Sequence, residues 1–211
     1  MGDVWGAVHR ERGSLIDDLT GVNADRWDTP SPCAGWSVHD VLAHLVNDAR
    51  TTVWAFARDL ARARFDFDRL NADGVARERR ATGEETLAAF RAVQLRRTGA
   101  PAPAATRLVE IIVHGEDLRR PLGLEHRYPV EPTLAALRYQ RATSAGMGGG
   151  RERARDLQLV VTDAPTPVES RLGVGPEARG SALALLLAVS GRPVRPGEIS
   201  GPGAGRLLAQ G

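Results

Sequence analysis

The sequence predicts an α+β protein: an antiparallel four-helix bundle over residues 1–150, followed by a small α+β domain over residues 151–211. Three observations carry this. Apolar residues recur every three and four positions through the first part, the period falls to two near residue 157, and glycine thickens between them, with 13 of the 23 glycines in residues 143–211. The boundary is placed at the run Gly146-Met147-Gly148-Gly149-Gly150. All five histidines, the single cysteine and every aromatic residue precede it, so the second part offers only arginine, carboxylates, hydroxyls and backbone. At 211 residues and 42% hydrophobic content the chain can bury a core.

The first helix is expected over Asp3 to Leu19 and closes at Gly21. Asp28-Thr29-Pro30-Ser31-Pro32 must be a loop, because two prolines and small polar residues deny both helix and ladder. Ser37 is then a good N-cap, with Asp40 at the third position as a variant of the capping box. Val38, Val41, Leu42, Leu45, Ala49, Val53, Phe56 and Leu60 predict one long amphipathic helix. Leu87, Phe90 and Gln94 predict another over Glu84 to Arg97, ended by Gly99. Leu108, Ile111, Ile112 and Leu118 predict a fourth over Thr106 to Leu118, stopped by Pro121 and Gly123. Four such helices with short connections argue for a bundle. Thr133 to Ser144 is a further helix leading into the glycine run.

In the second part Leu157, Leu159 and Val161 alternate, which predicts a strand over Asp156 to Thr162, with another over Val168 to Val174. Ala182 to Val189 is a short buried helix, Ile199 lies on a strand, and Arg206 to Ala209 is a last helical turn.

Composition limits the chemistry. All 28 basic residues are arginine. Without lysine there is no Schiff base, no covalent pyridoxal or biotin attachment and no phosphate-gripping P-loop lysine. One cysteine, Cys33, excludes an internal disulfide, an iron–sulfur cluster and a cysteine-rich zinc site. The net charge of +2 is small and the arginines are interleaved with Asp and Glu, so no electrostatic track for nucleic acid is expected. The N-terminal residues lack an apolar run, and the longest apolar stretch, Ala182 to Val189, is too short to span a bilayer, so a cytoplasmic protein is expected, with neither membrane nor nucleic-acid partner.

The informative spacing is Glu110-Ile111-Ile112-Val113-His114. Residues four apart on a helix differ by about 40° around its axis, so this carboxylate and imidazole share a face, one turn apart, at the edge of the apolar stripe. Two such groups can share a divalent ion at about 2.0–2.2 Å, or form an ordinary helical ion pair. A third ligand decides between these, and His44 is available on the second helix. Its wheel position, roughly 140° from the centre of the apolar stripe, also suits an exposed or locally hydrogen-bonded histidine.

The run Trp36-Ser37-Val38-His39-Asp40-Val41-Leu42-Ala43-His44-Leu45, preceded by Pro32-Cys33-Ala34-Gly35, together with Glu110-x-x-x-His114-Gly115-Glu116-Asp117-Leu118-Arg119-Arg120-Pro121-Leu122-Gly123, resembles the mycothiol-dependent maleylpyruvate isomerase family of DinB-like metal-binding bundles. Leu159 to Asp163 and Gly180 to Arg192 are similar to that family's sterol-carrier-like second domain. The resemblance implies a divalent metal, zinc first among the choices, on His44, Glu110 and His114, with mycothiol as the thiol cosubstrate. Two neutral imidazoles and one carboxylate leave such an ion with net positive charge and an open position, where a bound thiol is deprotonated. The expected activity is isomerase or thiol-transferase chemistry on a small electrophile, maleylpyruvate being one example. A non-catalytic metal- or ligand-binding module and a hydrolase using metal-activated water stay open as alternatives.

The resemblance also points to an arginine of the second domain as the anchor for substrate carboxylates, and Arg192 is the matching position; arginine suits this through its bidentate fork. An arginine there can equally cap the preceding helix. Arg119 and Arg120 are expected in structural ion pairs. Cys33 is read as a buried, inert thiol, His39 as exposed, His9 and His126 as solvated, and Trp27, Trp36 and Trp54 as packing anchors. Asp117, three residues past His114, can either orient an imidazole or make a plain helical ion pair.

Overall fold

In the computed structural model, residues 3–168 and 170–209 are described. Among them the chain is α+β, with nine α-helices and one four-stranded sheet, and it divides into two compact units, Trp5–His126 and the chain from Arg127 onward.

The first unit contains α1 (Val4–Leu19), α2 (Val38–Arg50), α3 (Val53–Arg62), α4 (Phe67–Glu78), α5 (Gly83–Arg91) and α6 (Ala105–Leu122). Its core centres on α2, which packs against α4, α5 and α6; α1 adds the buried side chains Val8, Leu15, Ile16 and Leu19. With neighbours on several sides, α2 buries Val38, His39, Val41, Leu42, Ala43, His44, Leu45, Val46 and Ala49. A single apolar stripe underestimates a helix surrounded in this way.

The capping box read from Ser37 and Asp40 is present, each side chain accepting the other residue's amide. The long helix expected from Val38 to Leu60, however, is two helices. Thr51 turns extended and its hydroxyl donates to the Asn47 carbonyl at 2.8 Å, while the Thr52 hydroxyl accepts the Ala55 amide at 3.2 Å and starts α3. Two adjacent threonines thus satisfy one helix end and the next helix start, a competition that apolar periodicity does not register. The helix α4 escaped the sequence reading because it is polar. It is capped by Asp66 and approaches α2 at Gly74, where a Cβ would stand 2.6 Å from the Asn47 amide.

The helix expected over Glu84 to Arg97 ends at Arg91. Beyond it the carbonyls of Val93, Gln94 and Arg96 face the buried Arg12 guanidinium at 3.4, 3.4 and 3.0 Å. The chain there tightens into turns, the amides of Val93, Gln94 and Arg96 meeting the carbonyls of Phe90, Arg91 and Val93 at 3.1, 3.2 and 3.0 Å, and the distant Arg12 adds a further donor to these turns. In contrast, α6 does not end at Leu118 as expected but runs through Pro121, forgoing the helical bond that a residue with an N–H would make there, and closes at Gly123. There φ is 72°, and the Leu124 amide reaches back to the Arg119 carbonyl at 3.0 Å.

The second unit contains α7 (Val130–Ala142), β1 (Gln158–Val161), β2 (Arg171–Leu172), β3 (Glu177–Gly180), α8 (Ala182–Val189), β4 (Ile199–Ser200) and α9 (Ala204–Leu208). The sheet order is β2-β1-β3-β4. Its central pair β1 and β3 is parallel, with Leu159 opposite Ala178, and both outer pairings are antiparallel. Helix α8 packs against α7 and against β1 and β3, and buries seven of its eight residues. The helix ahead of the glycine run therefore shares a core with the sheet that follows. Strand β3 was not anticipated, because Glu177-Ala178-Arg179-Gly180 is mostly polar and gains its place by pairing on both edges. No helix among the described residues is long and apolar enough to cross a membrane.

Candidate metal centre

In α6 every residue from Arg107 to Arg119 is buried except Glu110 and His114. The four-residue spacing places both on the one face the core leaves partly open. Glu110 keeps 26% of its side chain exposed and His114 15%. From α2, His44 meets them across 66 residues of sequence: its Nε2 lies 3.2 Å from Glu110 Oε2, and His114 Nε2 lies 3.3 Å from the same oxygen. The two imidazoles stand edge to face with ring centroids 4.8 Å apart, and Trp36 lies against His44 at 5.2 Å. His44, Glu110 and His114 each offer one ligand atom, all within 4.8 Å of one another, a group that could hold a metal ion.

On its far side, His114 Nδ1 lies 3.0 Å from Asp117 Oδ2. Asp117 is 1% exposed and also accepts from the Cys33 thiol at 3.2 Å. The electrostatics follow. Burial pulls the His114 imidazolium down, but hydrogen bonds to Asp117, Cys33 and Glu110, together with the Glu110 charge, outweigh it and hold its pKa well above the usual value. Burial works to raise Glu110, yet hydrogen bonds from His114 and His44 keep its carboxyl well below the usual range. Behind His44, Asp48 is raised by burial against the pull of the Arg107 guanidinium, which pairs with it.

The structure thus brings His44, Glu110 and His114 together. Arg192 lies half-buried in the other unit just past α8, where its amide donates to the Leu187 carbonyl at 2.8 Å and helps close that helix. Arg119 and Arg120 form the expected ion pairs, with Asp18 at 2.7 Å and Glu116 at 2.8 Å. Cys33 is buried, as expected. Four expectations are corrected. His39 is 3% exposed and meets the Thr86 hydroxyl at 2.7 Å. His126 is paired with Glu11 at 2.9 Å. His9 is half-buried, with its Nε2 shut away from solvent and lacking a hydrogen-bond partner. Trp54 is 86% exposed, because α3 buries none of its residues. The sequence reading missed how Asp117, Cys33 and Trp36 gather around the histidines; the i,i+3 spacing of His114 and Asp117 was the one available signal.

The fold and the cluster define a class: a helical unit carrying two imidazoles and a carboxylate on facing helices, joined to a small α+β unit. The chain belongs to the mycothiol maleylpyruvate isomerase family, since the family model "Mycothiol maleylpyruvate isomerase N-terminal domain" matches residues 8–119. Its fold is similar to that of a crystal structure of a mycothiol-dependent maleylpyruvate isomerase, at a TM-score of 0.63 and 15% identity over 95% of this chain and 92% of the other. A crystal structure of a histidine-to-alanine mutant of that enzyme matches at a TM-score of 0.63 and 14% identity, with the same coverage. No curated protein sequence matches the chain.

Proposed function

We propose that this protein is a metal-dependent, mycothiol-dependent isomerase or thiol transferase acting on a small electrophile of the maleylpyruvate kind. The observation that carries the reading is the convergence of His44 Nε2 and His114 Nε2 on one carboxylate oxygen of Glu110. Two ligand atoms of a tetrahedral ion at about 2.1 Å stand about 3.4 Å apart. The separations of 3.2 and 3.3 Å match such edges, so the residues fit a divalent ion, with zinc first by donor set.

The chain's own residues then divide the work. Glu110 stays ionised and would supply the charge, His44 and His114 would each give a ring nitrogen, His114 losing to metal binding the proton that Asp117 and Glu110 otherwise favour on it, and the partly exposed Glu110 face leaves an approach for a thiol. A divalent ion held there supplies Lewis acidity that favours the thiolate form of a thiol cosubstrate. Such a thiolate adds to an activated double bond and is expelled after rotation, or displaces a leaving group. Cys33 has no part as nucleophile, since its thiol faces Asp117 inside the protein. Arg192 is proposed as the guanidinium that pairs with a substrate carboxylate; Arg192→Lys, which loses the bidentate fork, should raise KM more than it lowers kcat.

The test combines metal analysis of the purified protein with turnover. The wild type should hold one divalent ion that His44→Ala and Glu110→Ala lose, and should convert maleylpyruvate or a related electrophile only when mycothiol is added. Absence of a stoichiometric ion, or equal rates with and without the thiol, overturns the reading.

A further inference from the structure

We infer that Asp117, backed by Cys33, is a positioning residue that holds His114 in the one tautomer able to serve as a ligand; this rests on the metal-site reading above. A neutral imidazole carries its proton on one nitrogen and a lone pair on the other, and the partner of the first nitrogen decides which is which. His114 presents Nε2 to Glu110 and His44, and Nδ1 to Asp117. A carboxylate accepts and does not donate. Glu110 competes for the proton from 3.3 Å at Nε2, but the Asp117 oxygen is nearer, at 3.0 Å, and so keeps the proton of the neutral ring on Nδ1 and leaves the Nε2 lone pair for the cluster.

Asp117 can do this only if its own oxygen is fixed, and its surroundings fix it. The side chain is 1% exposed and projects one helical turn from His114, so the two groups share a face of α6. The oxygen that meets His114 also accepts from Cys33 Sγ at 3.2 Å, across 84 residues of sequence. Cys33 is held in turn by the tight loop ahead of α2. Its amide donates to Ser31 Oγ at 3.2 Å, its carbonyl accepts the Trp36 amide at 3.0 Å, and the Trp36 carbonyl accepts the Ser31 amide at 2.9 Å. The loop that carries Trp36 against His44 thus also places the donor that steers Asp117. One short segment bears on both imidazoles, through Trp36 on His44 and through Cys33 and Asp117 on His114.

The experiment uses the full chain and two readouts. In the first, zinc affinity is measured by competition with a chelator. Asp117→Ala should weaken binding about 10- to 100-fold, as loss of the group that orients a ligating histidine does elsewhere. Asp117→Asn should weaken it less, since the amide oxygen still accepts, but its NH2 can turn to Nδ1 and favour the wrong tautomer. Cys33→Ala should give a smaller loss that Cys33→Ser recovers, because a hydroxyl restores the donor. In the second readout, the nitrogen-15 shifts of His114 are recorded in metal-free protein at a pH where the ring is neutral. The wild type should show the Nδ1–H tautomer and the Asp117 variants a shift toward Nε2–H. A purely structural role for Asp117 would move the melting temperature without moving this signal, and if Asp117→Ala does not fold, the equal-sized Asp117→Asn carries the test.

Wild-type zinc binding, with both Asp117 variants inside about two-fold of it and the tautomer signal unchanged, overturns the inference and leaves the metal site standing. Wild type that binds no zinc overturns the metal site instead, and the tautomer signal of the metal-free protein still decides whether Asp117 orients His114.

Discussion

Helices α2 and α3 carry one uninterrupted apolar period in the sequence, yet the structure treats them as opposites. Nine of the thirteen residues of α2 are buried, whereas α3 buries none of its ten. Each starts from a hydroxyl cap, Ser37 or Thr52, so local helix signals do not distinguish them. What separates them is company: α2 is packed against α4, α5 and α6, while α3 has α4 beside it. Periodicity reports that a helix has an apolar side; the number of neighbours that side finds is a tertiary property.

The sharpest way to break this comparison is to truncate one apolar side chain in each helix. Leu42 is fully buried, so Leu42→Ala should destabilise the protein by about 2–5 kcal/mol, the cost of lost burial plus a cavity. Trp54→Ala should change stability by no more than about 0.5 kcal/mol despite removing the larger group. Chemical denaturation of both variants checks the pair, and a Trp54 effect equal to that of Leu42 would show that α3 is covered in solution.

The caps give the next largest effect. Removing the Ser37 hydroxyl should cost about 1 kcal/mol of global stability, because it also receives the Arg79 guanidinium at 3.3 Å beside the Asp40–Arg79 pair. Thr52→Ala should instead fray α3 with little effect on the denaturation midpoint. Amide exchange separates the outcomes, with faster exchange confined to α3 in the Thr52 variant.

A smaller effect concerns pH. Burial lowers the pKa of His39, as does the Arg79 charge, against weaker opposing pulls from Asp40 and Asp28. The folded protein therefore binds this proton less readily than the unfolded chain. The stability His39 contributes is fully present above the unfolded value near 6.5 and is lost as the pH falls toward the lowered folded value. His39→Gln should flatten the fall in melting temperature between neutral and mildly acidic pH. An unchanged slope would mean that another group sets it.

How much was legible in advance depends on whether a feature is local. The capping box at Ser37, helix α8 and the Glu110–His114 spacing all rest on residues within one or two turns of each other and stand as read, whereas α6, expected to end at Leu118, passes through Pro121 before Gly123 closes it. The break at Thr51 was local as well, but hidden, because apolar counting ignores hydroxyls that compete for backbone groups. The turns after α5 are not satisfied by local bonds alone: Arg12, some eighty residues earlier, also meets the carbonyls of Val93, Gln94 and Arg96.

The candidate site divides along the same line. The sequence by itself determined that Glu110 and His114 share a helical face, since that follows from the pitch of any α-helix. It also determined that no lysine and only one cysteine are present to act as nucleophiles. Only the tertiary structure decided that His44 completes the cluster, that Asp117 lies behind His114, and that Cys33 lies behind Asp117. The physical reason is burial on several sides of α2. Its neighbours turn a position far from the apolar stripe into an interior one, and an interior imidazole must find polar partners across the chain rather than along it.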